Sequence, residues 1–310
     1  MMAGEQMTIP NPLISVVIPT YNYGKRLPRA VSSVLPQLSS QVELLIVDDG
    51  STDETEQTVS ALQKDHPDTF RYIRKTNGGA ASARNCGIEN SHGQFLVFLD
   101  ADDELVDGSM ALLIKHLSEH PDIQVVIAAH WSLSAAGKKR LHTPPLLPED
   151  AFQRVKAYLL DKDIAVSHGA SAMHRDVFEH YNYPEDFRTG EDIPVFAQAL
   201  ANYSCSLLPQ PMAIIHKHDD SLRHNAEAAQ KVGLKLLDEV FRRLPADLQS
   251  LRKQYLVQRC LSLFRTCLLA GEENAARHYY CKALKADKGV LLKWSYTRKA
   301  LRLWLKKPGG

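Results

Sequence analysis

Phe95-Leu96-Val97-Phe98-Leu99-Asp100-Ala101-Asp102-Asp103 passes from five apolar residues to three carboxylates within four positions. An apolar run of that length reads as a buried strand. The same pattern recurs upstream. Leu13-Ile14-Ser15-Val16-Val17-Ile18 is stopped by Pro19 and followed by Thr20-Tyr21-Asn22; Val42 to Val47 ends on Asp48-Asp49-Gly50; Phe70 to Arg74 reads as a third strand. Helical stretches lie between them. Arg26 to Leu38 spaces Ala30, Val31, Val34 and Leu38 for one face, Thr52 to Asp65 has Ser51 as its expected N-cap, and Gly79 to Asn90 follows. Strands alternating with helices predict an α/β fold with a mostly parallel sheet covered on both faces. Ligands bind such sheets beyond the carboxyl ends of the strands, where Thr20-Tyr21-Asn22, Asp48-Asp49, Asn77-Gly78-Gly79 and Asp100 to Asp103 gather.

Downstream, the spacing predicts helices over Met110 to Glu119, Phe152 to Leu160 and Asp192 to Leu200. Strands are expected over Val125 to Ala129 and Met212 to Ile215, the latter ending at His216-Lys217-His218, with a Pro-rich loop over Leu141 to Pro148. From about Ser221 the chain becomes charged, Leu-rich and Ala-rich helix, which divides it into residues 1–221 and a helical region 222–310. Glu273 to Ala286 resembles one helix of a helical hairpin repeat, with no second copy at a fixed period.

The bulk properties narrow the classes. Thirty-seven Lys and Arg against 36 Asp and Glu leave a formal charge of +1, so no global field draws the chain to nucleic acid. The five cysteines form no CxxC pair, which argues against a disulfide framework or zinc site and suits a reducing cytosol. Met1 to Gln6 has no signal-peptide character, and the longest apolar candidate, Leu256 to Ala270, is interrupted by Gln258, Arg259 and Arg265. The expectation is a soluble cytoplasmic protein, attached at most to a membrane surface.

Three clusters carry chemistry. Asp100 and Asp102 follow a buried strand at i, i+2, so on an extended chain both carboxylates point the same way. Two hard oxygen ligands make half of a Mg²⁺ or Mn²⁺ site, which diphosphate oxygens and water could complete; the plainer alternative is a solvated acidic loop. Asp48-Asp49-Gly50-Ser51 ends a strand where a carboxylate could accept a uracil imide or a ribose hydroxyl, although Asp-Gly-Ser is also ordinary turn chemistry. Asn77 to Asn85 opens a helix with small residues that let a backbone approach an anion, and Arg84 could pair with a phosphate or with the acidic loop. Close helix–sheet packing would equally explain its glycines and alanines.

Pro19-Thr20-Tyr21-Asn22, Asp48 to Asp53, Asn77-Gly78-Gly79 with Ala83-Arg84-Asn85, Phe98 to Asp103, Glu191-Asp192, and His218 with Ser221 occur in that order. The series resembles the family 2 glycosyltransferases of GT-A fold, over residues 13 to 221. The resemblance implies an inverting, non-processive, metal-dependent transferase that moves one sugar from a nucleotide-diphosphate donor, expected to be a UDP-sugar, to an acceptor hydroxyl. It implies a nucleotide-binding set of Pro19, Tyr21, Asn22, Asp48, Asp49, Asn77, Arg84 and Asp100. Asp102 becomes the main ligand of Mn²⁺ or Mg²⁺, with Asp100 and His218; Asp192 becomes the general base, with Glu191 beside it. Read without the resemblance, Glu191-Asp192 is an acidic first turn that suits the helix dipole, and His216 and His218 are a surface pair of which either could ligate. His218 is preferred because His-x-x-Ser fits the family pattern.

Two departures matter. The family often carries an Arg late in the helix after the acidic pair, where this chain has Phe196-Ala197-Gln198-Ala199-Leu200, and the Gln-x-x-Arg-Trp motif of processive synthases is absent. A sugar nucleotidyltransferase would show a Gly-rich basic loop in place of Pro19-Thr20-Tyr21-Asn22; a dinucleotide-dependent oxidoreductase would show GxGxxG after a strand. A non-catalytic nucleotide-sugar-binding adaptor would not need the intact acidic series. The expected acceptor, by family analogy, is a bacterial glycan or glycolipid such as a lipopolysaccharide core, capsule or exopolysaccharide precursor. Lys293 to Lys307 interleaves Lys293, Arg298, Lys299, Arg302, Lys306 and Lys307 with Trp294, Tyr296, Trp304 and leucines, a composition suited either to peripheral membrane contact or to a helix packed on its own domain.

Overall fold

The computed structural model describes residues 11–217 and 226–305. Strands β1 (Ile14–Thr20), β2 (Val42–Asp48), β3 (Arg71–Arg74) and β4 (Phe95–Phe98) lie parallel in the spatial order β3-β2-β1-β4. β1 pairs with β2 without a shift, so Thr20 and Asp48 finish level at the same sheet edge. Helices α1 (Leu27–Val34), α2 (Thr55–Asp65) and α3 (Ala80–Asn90) connect them. Alternate residues of β1 feed two cores. Val17 joins Leu45, Ala83 and Phe98 on one face; Ile14, Val16 and Ile18 join Leu27, Val31 and Val34 of α1 on the other.

The second half departs from the expected parallel order. After β5 (Glu104–Leu105) and α4 (Ser109–Glu119) come β6 (Val125–Ser134), β7 (Lys139–His142), α5 (Ala151–Lys156), β8 (Ser171–His174), α6 (Asp192–Asn202) and β9 (Cys205–Lys217). The nine strands form one sheet, β3-β2-β1-β4-β8-β6-β9-β5, with β7 on β6. β8 is antiparallel to both β4 and β6, and β5 to β9, so the sheet is mixed. Four residues with a serine and a histidine gave β8 no legible period. Pro209 and Pro211 hid the first half of β9, and the β6–β9 ladder shifts register at that point.

Several boundaries move for local reasons. α1 tightens into a 3₁₀ turn at Leu35–Gln37, where Pro36 has no N–H to continue the α pattern. α2 begins at Thr55, not Thr52; Asp53 accepts from Thr55 N at 3.0 Å, while the Ser51 hydroxyl expected as the cap accepts from Asn22 N at 2.9 Å. The helix expected to Leu160 is α5 followed by a π turn, Ala157–Asp161, and β7 takes the start of the expected 141–148 loop.

Helices α7 (Ala226–Val232), α8 (Lys235–Arg243), α9 (Arg252–Leu269), α10 (Glu273–Ala286) and α11 (Trp294–Leu305) follow among the described residues. Leu236, Val240, Phe241, Leu248 and Tyr255 share a core with Val195, Phe196 and Leu200 of α6. From Val257 onward a separate cluster forms around Phe264, Tyr280 and Leu303. The 221/222 boundary lies outside the described residues.

α3 sits against β1 through Gly87, where an added Cβ would lie 2.4 Å from Val17 Cγ1. Alanine there improves helix propensity by about 1 kcal/mol, but overpacking a filled core costs about 1–3 kcal/mol. Gly87→Ala is therefore expected to lower unfolding free energy by about 1 kcal/mol in urea titration; an unchanged or raised midpoint would show that the helix can lift off β1 freely.

Candidate active site

The sheet edge at the carboxyl ends of β1, β2 and β4 collects the polar loops. After β1, Asn22 holds a left-handed backbone at φ 57°, and its side-chain oxygen accepts from Thr52 N at 2.8 Å and Asp53 N at 3.3 Å. Pro19 is buried inside β1, whereas Tyr21 is exposed at the loop. After β2, the buried Asp48 accepts from Ser51 N at 2.8 Å and from the Tyr72 hydroxyl at 2.7 Å. Burial, then the bond to Asp48, push the Tyr72 hydroxyl well above its ordinary range.

Asp49 organises the third loop. Its carboxylate accepts from Gly78 N at 2.9 Å, Gly79 N at 2.6 Å and Lys75 Nζ at 2.9 Å, and its carbonyl accepts from Asn77 Nδ2 at 3.0 Å. Gly79 has φ 93° and ψ 172°, a conformation essentially reserved for glycine. The open space above its Cα is needed as well, because a Cβ would meet Arg188 Nη1 at 2.2 Å. The sequence had given Arg188 no role, yet it packs onto the loop that opens α3.

The centre of the site is Arg84 on α3, only 5% exposed. Nη2 donates to Asp100 Oδ1 and Nη1 to Glu191 Oε1, both at 2.9 Å, and the guanidinium lies 5.5 Å from the Tyr183 ring centroid. Burial alone would lower its pKa; the charges of Asp100 and Glu191 outweigh that and hold it fully protonated. Next to it, Asn85 grips the Tyr183 backbone twice, Oδ1 accepting from Tyr183 N and Nδ2 donating to its carbonyl, each at 2.9 Å. The Arg84-Asn85 pair thus fastens the segment 183–191 to the acidic loop after β4.

That loop is anchored from several sides. Arg29 of α1 donates to the Asp102 carbonyl and pairs with Glu104 at 3.5 Å. Asp103, buried, accepts from His216 N at 2.8 Å, and His216 Nε2 lies 2.6 Å from Glu104 Oε1. His216 is therefore engaged with Glu104, and His218 lies outside the described residues. Burial and then the fields of Asp100 and, less strongly, Asp102 push the Asp103 carboxyl up to about 9. Burial also raises the Tyr23 hydroxyl, with Asp102 the next cause. Asp100 and Asp102 are hard oxygen ligands of the kind a divalent cation takes. Among the described residues, no group of three His, Cys, Asp or Glu side chains is arranged to hold a metal. Asp100 and Asp102 are two carboxylates of suitable chemistry, Asp100 already bonded to Arg84, and any cation there would need its other ligands from substrate oxygens.

Glu191 caps α6 and Asp192 is its first residue. Asp192 shares Tyr183 with Glu191 and reaches further neighbours of its own. Its charge acts on Tyr158 in the π turn, on Lys162 just after it and on Tyr255 of α9. Burial lowers the Lys162 pKa and Asp192 partly restores it. Nothing in the sequence pointed to Lys162 or Tyr255, whose approach depends on tertiary packing. A cleft of about 460 Å³ lined by Asn22, Tyr23, Lys25, Arg26, Asp53 and Glu54 opens beside the β1 and β2 loops.

A mixed, helix-flanked sheet that gathers acidic loops and an acid-headed helix at one edge is the architecture of a GT-A glycosyltransferase. The chain belongs to glycosyl transferase family 2, whose model matches residues 15–181. An uncharacterised glycosyltransferase of Rickettsia felis is 32% identical over 180 residues, 58% of this chain and 29% of that one. The GalNAc(5)-diNAcBac-PP-undecaprenol β-1,3-glucosyltransferase of Campylobacter jejuni is 36% identical over 110 residues, 35% of each chain. The matched stretch spans under a third of the first curated relatives, 28% of a Nostoc glycosyltransferase and 29% of the Rickettsia felis one. Among solved structures, S. aureus TarS in complex with UDP-GlcNAc superposes with TM-score 0.62 at 18% identity, covering 92% of this chain and 91% of that one. The Pyrobaculum calidifontis mannosyltransferase in complex with GDP-Man and Mn²⁺ gives TM-score 0.57 at 17% identity, covering 97% and 86%. These likenesses carry the fold.

Arg84 offers a direct test of the site's architecture. Arg84→Met keeps the packing volume and leaves Asp100 and Glu191 without their shared cation. Removing one partner of a buried ion pair costs about 3–5 kcal/mol, and the partial exposure of Asp100 favours the lower end. A loss of about 3 kcal/mol in chemical denaturation is expected; a change under about 1 kcal/mol would mean that the two carboxylates do not depend on it.

Proposed function

We propose that the protein transfers a single sugar, with inversion, from a UDP-sugar to an acceptor hydroxyl in the assembly of a bacterial surface glycan. The observation that carries this reading is the bridge from Arg84 to both Asp100 and Glu191. It brings the acidic loop and the acidic pair to one sheet edge, as a donor and an acceptor facing each other would require. Residues 1–221 would hold the catalytic unit and residues 222–310 its helical appendage.

In this reading the nucleotide lies along the β1, β2 and α3 loops, against Tyr21, Asn22, Asp49 and Asn77, with the buried Pro19 and Asp48 shaping the sheet edge beneath them. Asp49 already accepts three bonds of the roughly four that a carboxylate can take, which leaves one for a uracil imide. TarS binds UDP and UDP-GlcNAc, which supports uracil over guanine, although the Pyrobaculum enzyme takes GDP-Man. Asp102, with Asp100 and His218, would hold Mn²⁺ or Mg²⁺, which neutralises charge on the departing diphosphate. Asp192 takes the proton from the acceptor hydroxyl as its oxygen attacks the anomeric carbon from the face opposite the diphosphate. Glu191, held by Arg84, fixes the start of α6 and so aims Asp192. The Campylobacter relative acts on an undecaprenol-PP-linked glycan. That supports a glycan or glycolipid acceptor of the same chemistry, met in the cytoplasm at the inner face of the membrane.

Incubating the purified protein with UDP-, GDP- and dTDP-sugars, with and without EDTA, tests the class and the donor together. Metal-dependent release of UDP from one UDP-sugar is expected, and Asp102→Ala should abolish it without loss of fold. Release at full rate in excess EDTA would remove the metal from the reading, and turnover of GDP- or dTDP-sugars alone would remove uracil.

Asp192→Asn keeps the shape of the base and removes its charge. Transfer to an acceptor should fall about 10²–10⁴-fold, while the donor dissociation constant measured by calorimetry stays near the wild-type value. Glu191→Gln should cost less, because that residue only positions its neighbour. Near-normal transfer by Asp192→Asn would take Asp192 out of the mechanism, and loss of donor affinity would move it to the nucleotide site.

A further inference from the structure

The last two helices present a surface that the transfer chemistry does not use. Six of the eleven large hydrophobic residues exposed among the described residues fall between Leu291 and Leu305. Leu292 is 87% exposed, Leu305 81% and Trp294 65%. On α11 the inward face is Thr297, Ala300 and Leu303, at i, i+3 and i+6. The outward face carries Trp294, Leu301 and Leu305 at i, i+7 and i+11, one stripe along the helix. Between α10 and the 3₁₀ turn Lys288–Leu292 that leads into α11, an apolar groove of about 550 Å³ is lined by Cys281, Leu284 and Leu291, with Lys285 and Lys288.

The charge on this surface is predominantly positive; the one carboxylate beside it, Asp287, caps the turn by accepting from Gly289 N at 2.8 Å. From Lys288 to Leu305 the sequence holds Lys288, Lys293, Arg298, Lys299 and Arg302 and no Asp or Glu. None of the five forms an ion pair or side-chain hydrogen bond among the described residues, although cations elsewhere do, such as Arg252 with Asp238 and Arg277 with Glu273. An apolar stripe flanked by unneutralised cations is what an anionic bilayer surface accommodates: leucine and tryptophan enter the headgroup–acyl boundary while lysine and arginine stay with the phosphates. A second copy of the chain is disfavoured as occupant. A two-fold contact would place the same five cations against themselves.

We propose that the face formed by the 3₁₀ turn Lys288–Leu292 and the outer stripe of α11 docks this protein on an anionic lipid bilayer, with the Lys285–Lys288 groove receiving one hydrocarbon chain. The inference rests on this surface alone and stands or falls separately from the transfer reaction. The geometry narrows the contact to a turn, a groove and one helix face; Tyr296 packs inward with Phe264, and Trp304, partly exposed, leans on Tyr280.

Sedimentation of the full chain with phosphatidylglycerol–phosphatidylcholine vesicles and with pure phosphatidylcholine vesicles tests it, circular dichroism reporting the fold throughout. The expected result is binding to the anionic vesicles, weakened by salt. The double variants Leu292→Glu/Trp294→Glu and Arg298→Glu/Arg302→Glu should each reduce partitioning at least about tenfold with unchanged dichroism. Leu284→Asp should weaken binding while leaving the outer stripe intact. Equal sedimentation of wild type and both double variants overturns the proposal. So does a concentration-dependent dimer, seen by analytical ultracentrifugation, that Leu292→Glu dissociates, since the face would then be an interface between copies.

Discussion

A single buried guanidinium holds the two halves of the site in register. The acidic loop after β4 belongs to the parallel half of the sheet and the acidic pair at α6 to the mixed half; the chain between them runs through about ninety residues, counted from the positions of Asp100 and Glu191. Arg84 reaches both from α3, which packs on the parallel half. A planar fork with separate donors can serve two carboxylates at once, whereas an ammonium would have to choose. Desolvating that charge is expensive, and it is tolerated because the Asp100 and Glu191 carboxylates and the Tyr183 ring surround it. Asn85 adds the second fastening on the neighbouring residue, so the motif works as a pair.

The parallel half of the fold was legible because its strands are short apolar runs ending in punctuation, and its helices show one-sided spacing. Ser15 to Ile18, Val42 to Val47 and Phe95 to Phe98 all became strands, and the polar clusters after them meet at one edge. In the mixed half α4, β6, α6 and the end of β9 were legible, but the short strands and the start of β9 were not. β5 has two residues and β8 has four, too few to display a period, and the prolines of β9 imitate a loop. Antiparallel insertion of β8 beside β4 depends on long-range pairing that no local pattern encodes.

Within the site, the sequence identified the chemically capable residues but not their structural duties. Asp49, Asn22 and Asp48 each satisfy backbone N–H groups of neighbouring loops. This accounts for the recurrence of Asp, Asn and Gly at these turns without reference to any ligand. Asp103 looked like the third member of an acidic run, yet it is the buried tie to β9, and its neighbour Glu104 occupies His216. Asp102 and Asp103 are adjacent in the same run, yet Asp102 is half-buried and Asp103 is withdrawn into the fold. Only burial, invisible in sequence, separates them.

The sharing of the core between α6 and the helices that follow has a consequence for how the chain can be divided. Phe196 and Leu200 lie under Leu236, Val240, Phe241 and Tyr255, so the helix that begins with Asp192 is roofed by the appendage. A fragment stopped at the compositional boundary near residue 221 would leave that side of α6 wet, however complete its motifs. The cluster from Val257 to Leu303 is a second core, yet α9 carries Tyr255 of the first core as well, and Gln258 bonds the Leu160 carbonyl, so any cut between the two cores would fall inside one helix.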